Sequence, residues 1–356
     1  MITVPGTILL FGHVDSADTV NRFLADLTLA FHDLGRPAIL TMLGNGTPPA
    51  LPHEAMRHPG SFAIDVNSKI HTGDFPKLSL VVDHPVSHPR LLQTGTRTVL
   101  GLIDQGHCRA SDYLRAPAAF IPHGGPNADA SALEGERDID VLFVGNILDA
   151  TTALDESESV ALAVGSAAAR GAIDPFPSLV AALGSRQADE LARLLNLATD
   201  EAQRCARLAA LSSIRQSGLH VVGHVPEDVA GHLPDGCVRH GFNRSFTESL
   251  ALMRRSKVVI NVSQKFPEGS HERIWYGMAA GAALISNRST FVEQDFTHGE
   301  SILFYDDPRQ VGDLVDQALR ANHWRDVARA ALPAYQAGHT WLDRAERILV
   351  AMIGRV

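Results

Sequence analysis

The chain has 356 residues, of which 45% are hydrophobic and 20% are charged, which is ordinary globular usage with room for two domain cores. Its formal net charge is −9 and it has no basic tract, which argues against nucleic acid as the main partner. No stretch approaches the roughly 20 uninterrupted apolar residues of a transmembrane helix. The N-terminus lacks a basic signal-peptide region, and the three cysteines lack metal-site spacing, so we expect a cytoplasmic protein with reduced thiols.

The first half of the chain alternates between short apolar runs and amphipathic segments. Its opening unit is a strand over 7–14, a helix over 18–34 and a second strand over 37–43. A loop rich in Gly, Pro and Asn follows over 44–59. Further apolar runs predict strands at 61–66, 78–82, 98–102 and 118–121. This alternation predicts an α/β domain with a parallel, doubly wound sheet that helices cover on both faces.

The second half repeats this organisation after a small, polar linker at 128–138. A strand is predicted over 140–147, followed by a helical insertion over about 151–216 that is rich in Ala and Leu. Its clearest helix spans 189–213. Beyond a strand at 219–225, Ser245 and Glu248 stand at the spacing of a capping box and predict the start of a helix over 245–256.

The stretch from 256 to 300 carries the strongest functional signal in the sequence. Two β-branched or apolar runs, at 257–263 and 282–286, flank a segment over 270–280 with apolar residues at helical spacing. Gly269 precedes this predicted helix, where a missing side chain lets the backbone approach a ligand and the first N–H groups are free to bind phosphate oxygens. Arg273 adds a cation within the first turn, so the segment predicts a cradle for a diphosphate.

This stretch resembles the donor-site signature of GT-B glycosyltransferases. Pro267, Glu268 and Gly269 are in register with it, and so are Met278, Ala279, Gly281 and Glu293. The run over 272–275 is closer to the CgeB-like branch of these transferases, in which an Arg precedes the helix. The resemblance implies two Rossmann-like domains facing each other across a cleft. We expect an acceptor domain at 1–126, a donor domain at 138–330, and C-terminal helices over 331–356 that pack back on the first domain.

The resemblance also implies a reaction. A glycosyltransferase of the hexosyltransferase type would move a sugar from a nucleoside-diphosphate sugar to an acceptor hydroxyl, without a metal or cofactor and with retention at the anomeric carbon. The acceptor class stays open between glycan, protein, lipid and small molecule. The chain lacks a Gly-x-x-x-x-Gly-Lys-Ser/Thr loop, and Gly-x-Gly-x-x-Gly is absent after the first strand. These absences count against a nucleotide triphosphatase and a nicotinamide dehydrogenase.

Family roles carry over to individual residues of the donor half. Glu268 is expected to contact the transferred sugar, although a solvated carboxylate near a helix start would look the same in sequence. Arg273 is expected on the diphosphate, where the leaving group gains charge. Tyr276 is either a ribose contact or a plain core aromatic. The donor-binding residues that we predict are Gly241, Arg244, Lys265, Gly269, Ser270, Glu272, Arg273, Tyr276, Ser289 and Thr290.

The acceptor half offers one candidate catalytic pair, Asp83 and His84, after the strand predicted at 78–82. An Asp orienting an imidazole suits proton abstraction from an acceptor hydroxyl. The pair would also suit a metal clamp, but no third ligand stands at metal spacing, and loop histidines are commonly just solvated.

Two departures from the family pattern keep an alternative open. Tyr276 stands where relatives usually have the Glu that holds the donor ribose, and Asn146 stands where many have an Arg that reaches the donor phosphates. A non-catalytic binding or scaffold protein with the same fold is therefore the competing hypothesis. A nucleotide-sugar epimerase is a third possibility, disfavoured because its signature residues do not stand out.

Overall fold

A computed structural model describes most of the protein. The described residues are 6–14, 18–44, 58–89, 91, 97–109, 114, 116–171, 173–184, 186–215, 218–241 and 245–354. The predicted donor residue Arg244 and most of the predicted loop at 44–59 lie outside them. The chain divides into two compact units, Met1–Gly125 together with His339–Val356, and Pro126–Gly338.

The first unit is built on a parallel sheet with the strand order β2-β1-β3-β4-β5-β6. Residues of β3, β4 and β5 are buried throughout, as expected for strands that helices cover on both faces. The strands are β1 Ile8–His13, β2 Ala38–Leu43, β3 Phe62–Val66, β4 Lys77–Val81, β5 Thr98–Leu102 and β6 Ala118–Phe120. Helix α1 spans Asp18–Asp33 and α2 spans Gln105–Arg109.

The C-terminal helix of the chain belongs to this first unit. This helix, α11, spans Trp341–Met352. The ring centres of Trp341 and of Phe23 in α1 lie 5.4 Å apart. Arg344 is fully buried and donates from Nε to the carbonyl oxygen of His123 at 3.0 Å. The chain passes into this unit at His339 and not at residue 331, because the preceding helix lies wholly in the second unit.

The second unit is built on another parallel sheet, with the order β12-β11-β10-β7-β8-β9. Its strands are β7 Ile139–Val144, β8 Leu219–Val222, β9 Val238–Arg239, β10 Ser256–Asn261, β11 Ala283–Asn287 and β12 Leu303–Tyr305. Its core combines the buried faces of β7, β8, β10 and β11 with side chains of the surrounding helices. The predicted parallel, helix-covered sheets are confirmed in both units.

Helices of the second unit include the predicted insertion between β7 and β8. The insertion consists of α3 Glu156–Ala168, α4 Pro175–Leu183 and α5 Ala188–Ser212. Gly165 allows α3 to lie close against α5, since a Cβ there would stand 2.2 Å from the carbonyl oxygen of Ala198. The remaining helices are α6 Glu227–Ala230, α7 Phe246–Arg255, α8 Glu272–Ala279, α9 Val311–Leu319 and α10 His323–Gly338. None of the helices in the described ranges has the length and hydropathy of a membrane span.

Local capping explains where two of these helices begin. Ser245 and Glu248 form the predicted capping box at α7, each side chain bonded to the other residue's backbone N–H. The predicted helix over 270–280 starts two residues later than expected, at Glu272, because His271 adopts an extended backbone and caps it. Ser270 therefore precedes the helix and belongs to the loop that leads into it.

Candidate functional site

The carboxyl ends of the central strands in the second unit define the candidate site. In open parallel sheets this edge is where ligands bind. Strand β10 ends at Asn261, β11 ends at Asn287, and β7 is followed by Gly145. The buried side chain of Asn261 donates from Nδ2 to Ser286 Oγ at 2.9 Å. Buried polar groups at this edge are thus joined in a network just below the predicted donor loop.

Helix α8 points its amino end into the same region. His271 is the N-cap residue, and the backbone N–H of Arg273 lies 3.3 Å from its Nδ1. The same Nδ1 lies 2.7 Å from Glu272 Oε2. The imidazole of His271 is thus within hydrogen-bond distance of both the N–H of Arg273 and the carboxylate of Glu272 at the amino end of α8.

Arg273 lies at the second position of α8 and is 5% exposed. Its Nη1 donates to Asn261 Oδ1 at 2.8 Å, and its Cζ lies 5.6 Å from the ring centre of Phe143 in β7. Burial lowers the pKa of this guanidinium, partly offset by the charge of Glu272. The sequence predicted a cation at this position, and the structure places it beneath the carboxyl edge of the sheet.

A second buried guanidinium, which the sequence analysis missed, lies at the same edge. Arg207 of α5 is 7% exposed, and its Cζ is 5.8 Å from the ring centre of the same Phe143. It donates to the carbonyl oxygens of Asn146 and Val262 and to Gln203 Oε1. Burial and the charge of Arg273 lower its pKa to about 9. Phe143 thus carries two buried arginines from different helices.

The loop that carries Glu268 is held by the segment after β11. Ser289 is buried and donates from Oγ to the carbonyl oxygen of Gly269, and the N–H of Thr290 donates to the carbonyl oxygen of Pro267 at 3.1 Å. Glu268 itself is half-buried. Ser289 and Thr290 therefore fix the backbone of the predicted donor loop.

The remaining donor predictions fall in different surroundings. Gly241 has a φ of +75° with open space where a side chain would stand, and its carbonyl oxygen accepts from the N–H of Gly223 at 3.1 Å. Lys265 is half-buried in the loop after β10. Ser270 is buried and accepts from the indole Nε1 of Trp275 at 2.9 Å, which ties the loop to α8.

Tyr276 is 1% exposed and packs edge to face on Phe246 of α7, with ring centres 4.9 Å apart. The ring packs in the core, and the ribose contact that we weighed against a core role stays a prediction. The ring is oriented by the packing of α8 on α7, a tertiary contact that could not be predicted from the local sequence.

In the first unit, Asp83 and His84 are adjacent in sequence but have different neighbours. Asp83 Oδ2 accepts from Asn67 Nδ2 at 3.3 Å and lies 3.5 Å from His88 Nε2. His84 is buried, caps a 3₁₀ turn by accepting the N–H of Val86 at Nδ1, and packs on His107. A neutral ring that accepts at Nδ1 carries its hydrogen on Nε2. The contacts thus bring Asp83 to His88, and they make His84 a donor at Nε2 in this conformation.

Asn261 and Arg207 are site residues that the sequence-based prediction missed, and they differ in whether the sequence contains a signal for them. Asn261 is a polar residue at the end of the β-branched run over 257–263, which is a usable sequence signal for a strand-end site. Arg207 gave no such signal, because it lies 66 residues before Arg273 in a long helix with two other arginines. Only the packing of α5 on β7 brings it to Phe143.

Two α/β units, each built on a parallel sheet that helices cover, are typical of the GT-B architecture. Solved structures of similar fold agree with this assignment. The chain is similar to the lipopolysaccharide glycosyltransferase WaaG, with a TM-score of 0.52 and 10% identity over 98% of this chain and 100% of that chain. It is also similar to sucrose-phosphate synthase from Thermosynechococcus elongatus (TM-score 0.52, 13% identity, 96% and 97% covered). A third similar structure is Anabaena HepE in complex with UDP and glucose (TM-score 0.51, 9% identity, 96% and 98% covered).

The sequence itself matches a family in its C-terminal part. Residues 204–350, from α5 to α11, match the family described as glycosyl transferase-like. No curated protein sequence matches the chain. The resemblance to GT-B glycosyltransferases that the sequence predicted is confirmed in the fold and in the family match of residues 204–350.

Proposed function

We propose that the protein transfers a sugar from a nucleoside-diphosphate sugar to an acceptor hydroxyl. The observation that carries the proposal is Arg273, a buried cation at the amino end of α8 whose hydrogen-bond acceptor among the described residues is the neutral amide of Asn261. A buried cation beside the positive end of a helix is unfavourable unless an anion joins it. A diphosphate at the carboxyl edge of the sheet would supply that anion.

The chemistry follows from where charge develops. When the bond between the anomeric carbon and the diphosphate oxygen breaks, the leaving group gains negative charge, and fixed positive groups stabilise that change. Arg273 and the positive end of α8 would do so without a metal ion. Glu268 would contact the transferred sugar, and Gly269, Ser270 and Glu272 would shape the turn around the diphosphate. We propose retention at the anomeric carbon on the resemblance to the CgeB-like branch.

The other predicted residues take supporting roles in this proposal. Gly241 would let the nucleoside approach closely, while Ser289 and Thr290 would hold the donor loop, and Lys265 would add positive charge. Asp83 and His84 stay predictions for the acceptor side, and Tyr276 and Arg244 stay predictions for the donor side. The cytoplasmic location also stays a prediction.

Donor binding is the decisive test. UDP and UDP-glucose are the first probes because the similar HepE structure contains UDP and glucose, and the other nucleoside diphosphates follow. We expect one nucleoside to raise the thermal midpoint equally in EDTA and in Mg²⁺, since a ligand of the native state stabilises it by mass action. Arg273→Met should weaken that binding on the order of 10-fold or more, as loss of a buried charge-assisted bond does.

Matched variants separate the roles. Arg309→Met removes an exposed arginine paired with Asp307 in the same unit, and its donor affinity should equal that of the wild type. The Glu268→Gln variant should still bind the donor. It should no longer transfer the sugar, and it should also lose any slow hydrolysis of the donor. If no nucleoside diphosphate or nucleotide sugar binds the wild-type protein, the proposal is wrong and a scaffold protein is the better reading.

A further inference from the structure

We propose that Arg207, on the inserted helix α5, is the second cation that holds the diphosphate of the donor. It would replace the Arg that many related transferases have at the position of Asn146. The inference rests on the proposed function and adds to it a residue outside the donor-site signature. It also gives the helical insertion a part in donor binding.

Both arginines lie close to the same aromatic ring. Their Cζ atoms lie 5.6 Å and 5.8 Å from the ring centre of Phe143, close enough for both to interact with the same π system. Among the described residues, the oxygens that accept from the two guanidiniums are all neutral, being two backbone carbonyls and two side-chain amides. The pair is therefore oriented by hydrogen bonds without being neutralised by a carboxylate in contact with it.

Two buried cations close to each other are unfavourable unless an anion joins them. Burial lowers the pKa of both groups, and the charge of Arg273 lowers that of Arg207 further. Glu272, Tyr305 and Asp200 act on Arg207 in the opposite direction, but their effect is smaller than that of burial. An anion with two or more negative charges would offset the repulsion and the lost hydration of both cations at once.

The position of Arg207 suits a phosphate group. Its contact with the carbonyl oxygen of Asn146 places the guanidinium at the loop after β7, on the carboxyl edge of the sheet. Gly145 precedes that residue, and a Cβ there would stand 3.2 Å from Arg273 Nη2. The missing side chain keeps this approach to Arg273 open, so one phosphate group could meet both guanidiniums there.

The test measures how strongly the protein prefers a diphosphate. UDP, UMP and inorganic pyrophosphate are titrated by calorimetry into the wild type, Arg207→Met and Arg204→Met. We expect Arg207→Met to weaken UDP and pyrophosphate at least 10-fold while UMP changes far less, so the preference for UDP over UMP falls. Arg204→Met removes a charge from the same helix, where Arg204 pairs with Glu201, and should stay within twofold of the wild type.

Each outcome decides between distinct readings. Wild-type binding with an unchanged UDP-to-UMP preference in a folded Arg207→Met variant overturns the assignment of Arg207 and leaves the proposed function standing. Absence of UDP and pyrophosphate binding in the wild type contradicts the proposed function itself. If Arg207→Met does not fold, Arg207→Lys keeps the charge but loses the planar fork. A several-fold drop in its diphosphate preference then supports the assignment, and an unchanged preference overturns it.

Discussion

The two ends of helix α8 each have a buried arginine beside them, and the two arginines are in opposite situations. Arg137 lies at the carboxyl end and is 7% exposed, while Arg273 lies at the amino end and is 5% exposed. A helix is negative at its carboxyl end and positive at its amino end. The dipole of α8 therefore favours the charge of the first arginine and disfavours that of the second, while burial lowers the pKa of both.

The two arginines also differ in the groups that accept their hydrogen bonds. Arg137 donates to the carbonyl oxygens of Ser256 at 2.9 Å and Ala280 at 2.8 Å, and also to those of Met253 and Ala132. These carbonyls lie in or next to the last turns of helices, where a helix leaves backbone carbonyl groups short of donors. Arg273 has one neutral side-chain acceptor among the described residues. Burial of an arginine thus does not by itself indicate a site, whereas burial at the wrong end of a dipole does.

The largest effect that we predict is on stability at the carboxyl end. Arg137→Met should lower the free energy of unfolding by about 3 kcal/mol, because it removes a donor from several carbonyl groups in the interior of the unit. Urea unfolding followed by circular dichroism measures the change. The affinity of the folded variant for UDP should equal that of the wild type, because Arg137 lies away from the carboxyl edge of the sheet.

Arg255→Met is the matched control for Arg137. Arg255 is exposed and forms an ion pair with Asp138, the residue next to Arg137. Exposed pairs of this kind contribute at most about 1 kcal/mol, so the control should be far milder. Equal losses in the two variants would mean that the carbonyl contacts of Arg137 do not stabilise the unit.

Arg273→Met should behave differently in the same measurement without ligand. It removes one hydrogen bond and a contact with Phe143, but it also removes a buried charge next to the positive end of α8 and next to Arg207. We expect the two effects to leave the free energy of unfolding within about 1 kcal/mol of the wild-type value. Urea unfolding at low and high salt checks this.

A loss of about 3 kcal/mol in Arg273→Met would contradict the comparison of the two ends, because Arg273 would then be as structural as Arg137. A loss of stability that appears only when UDP is bound would agree with this comparison. Arg309→Met, which removes an exposed charge elsewhere in the unit, reports any general effect of net charge in the same series.

Much of the fold could be predicted because it is encoded locally. The runs that became β1, β5 and β10 are short and mostly apolar, and the Ser245–Glu248 capping box fixes the start of α7 within four residues. The start of α8 was predicted two residues early, since histidine is a less common cap than serine or aspartate. That shift changes which residues donate their N–H groups at the site.

The site was harder to predict because its contacts join distant parts of the chain. Arg273 could be found from its place after a Gly-containing loop, whereas Arg207 and Phe143 meet it through the packing of α5 and β7. In the first unit, adjacency in the sequence also failed to predict which side chains contact each other. Asp83 contacts His88 five residues on, because the 3₁₀ turn at Pro85–Ser87 brings His88 back to it.

The smallest effect that we predict is at the amino end of α8 and has opposite signs for stability and binding. His271 caps α8 through a long 3.3 Å contact with the N–H of Arg273. His271→Asp should stabilise the ligand-free protein by about 0.5 kcal/mol, because aspartate is a better cap and its charge suits the dipole. The same charge should repel a diphosphate and weaken UDP binding several-fold, which calorimetry and thermal unfolding measure together.

His271→Asn provides the control because it caps without a charge. It should stabilise the protein by a similar amount and leave UDP affinity within about twofold of the wild type. If His271→Asp and His271→Asn bind UDP equally, no anion lies near the amino end of α8. The positive end of the helix would then not contribute to donor binding, and Arg273 would need a different partner. Unequal binding, with the aspartate weaker and more so at low salt, would instead identify this helix end as the place where the diphosphate sits.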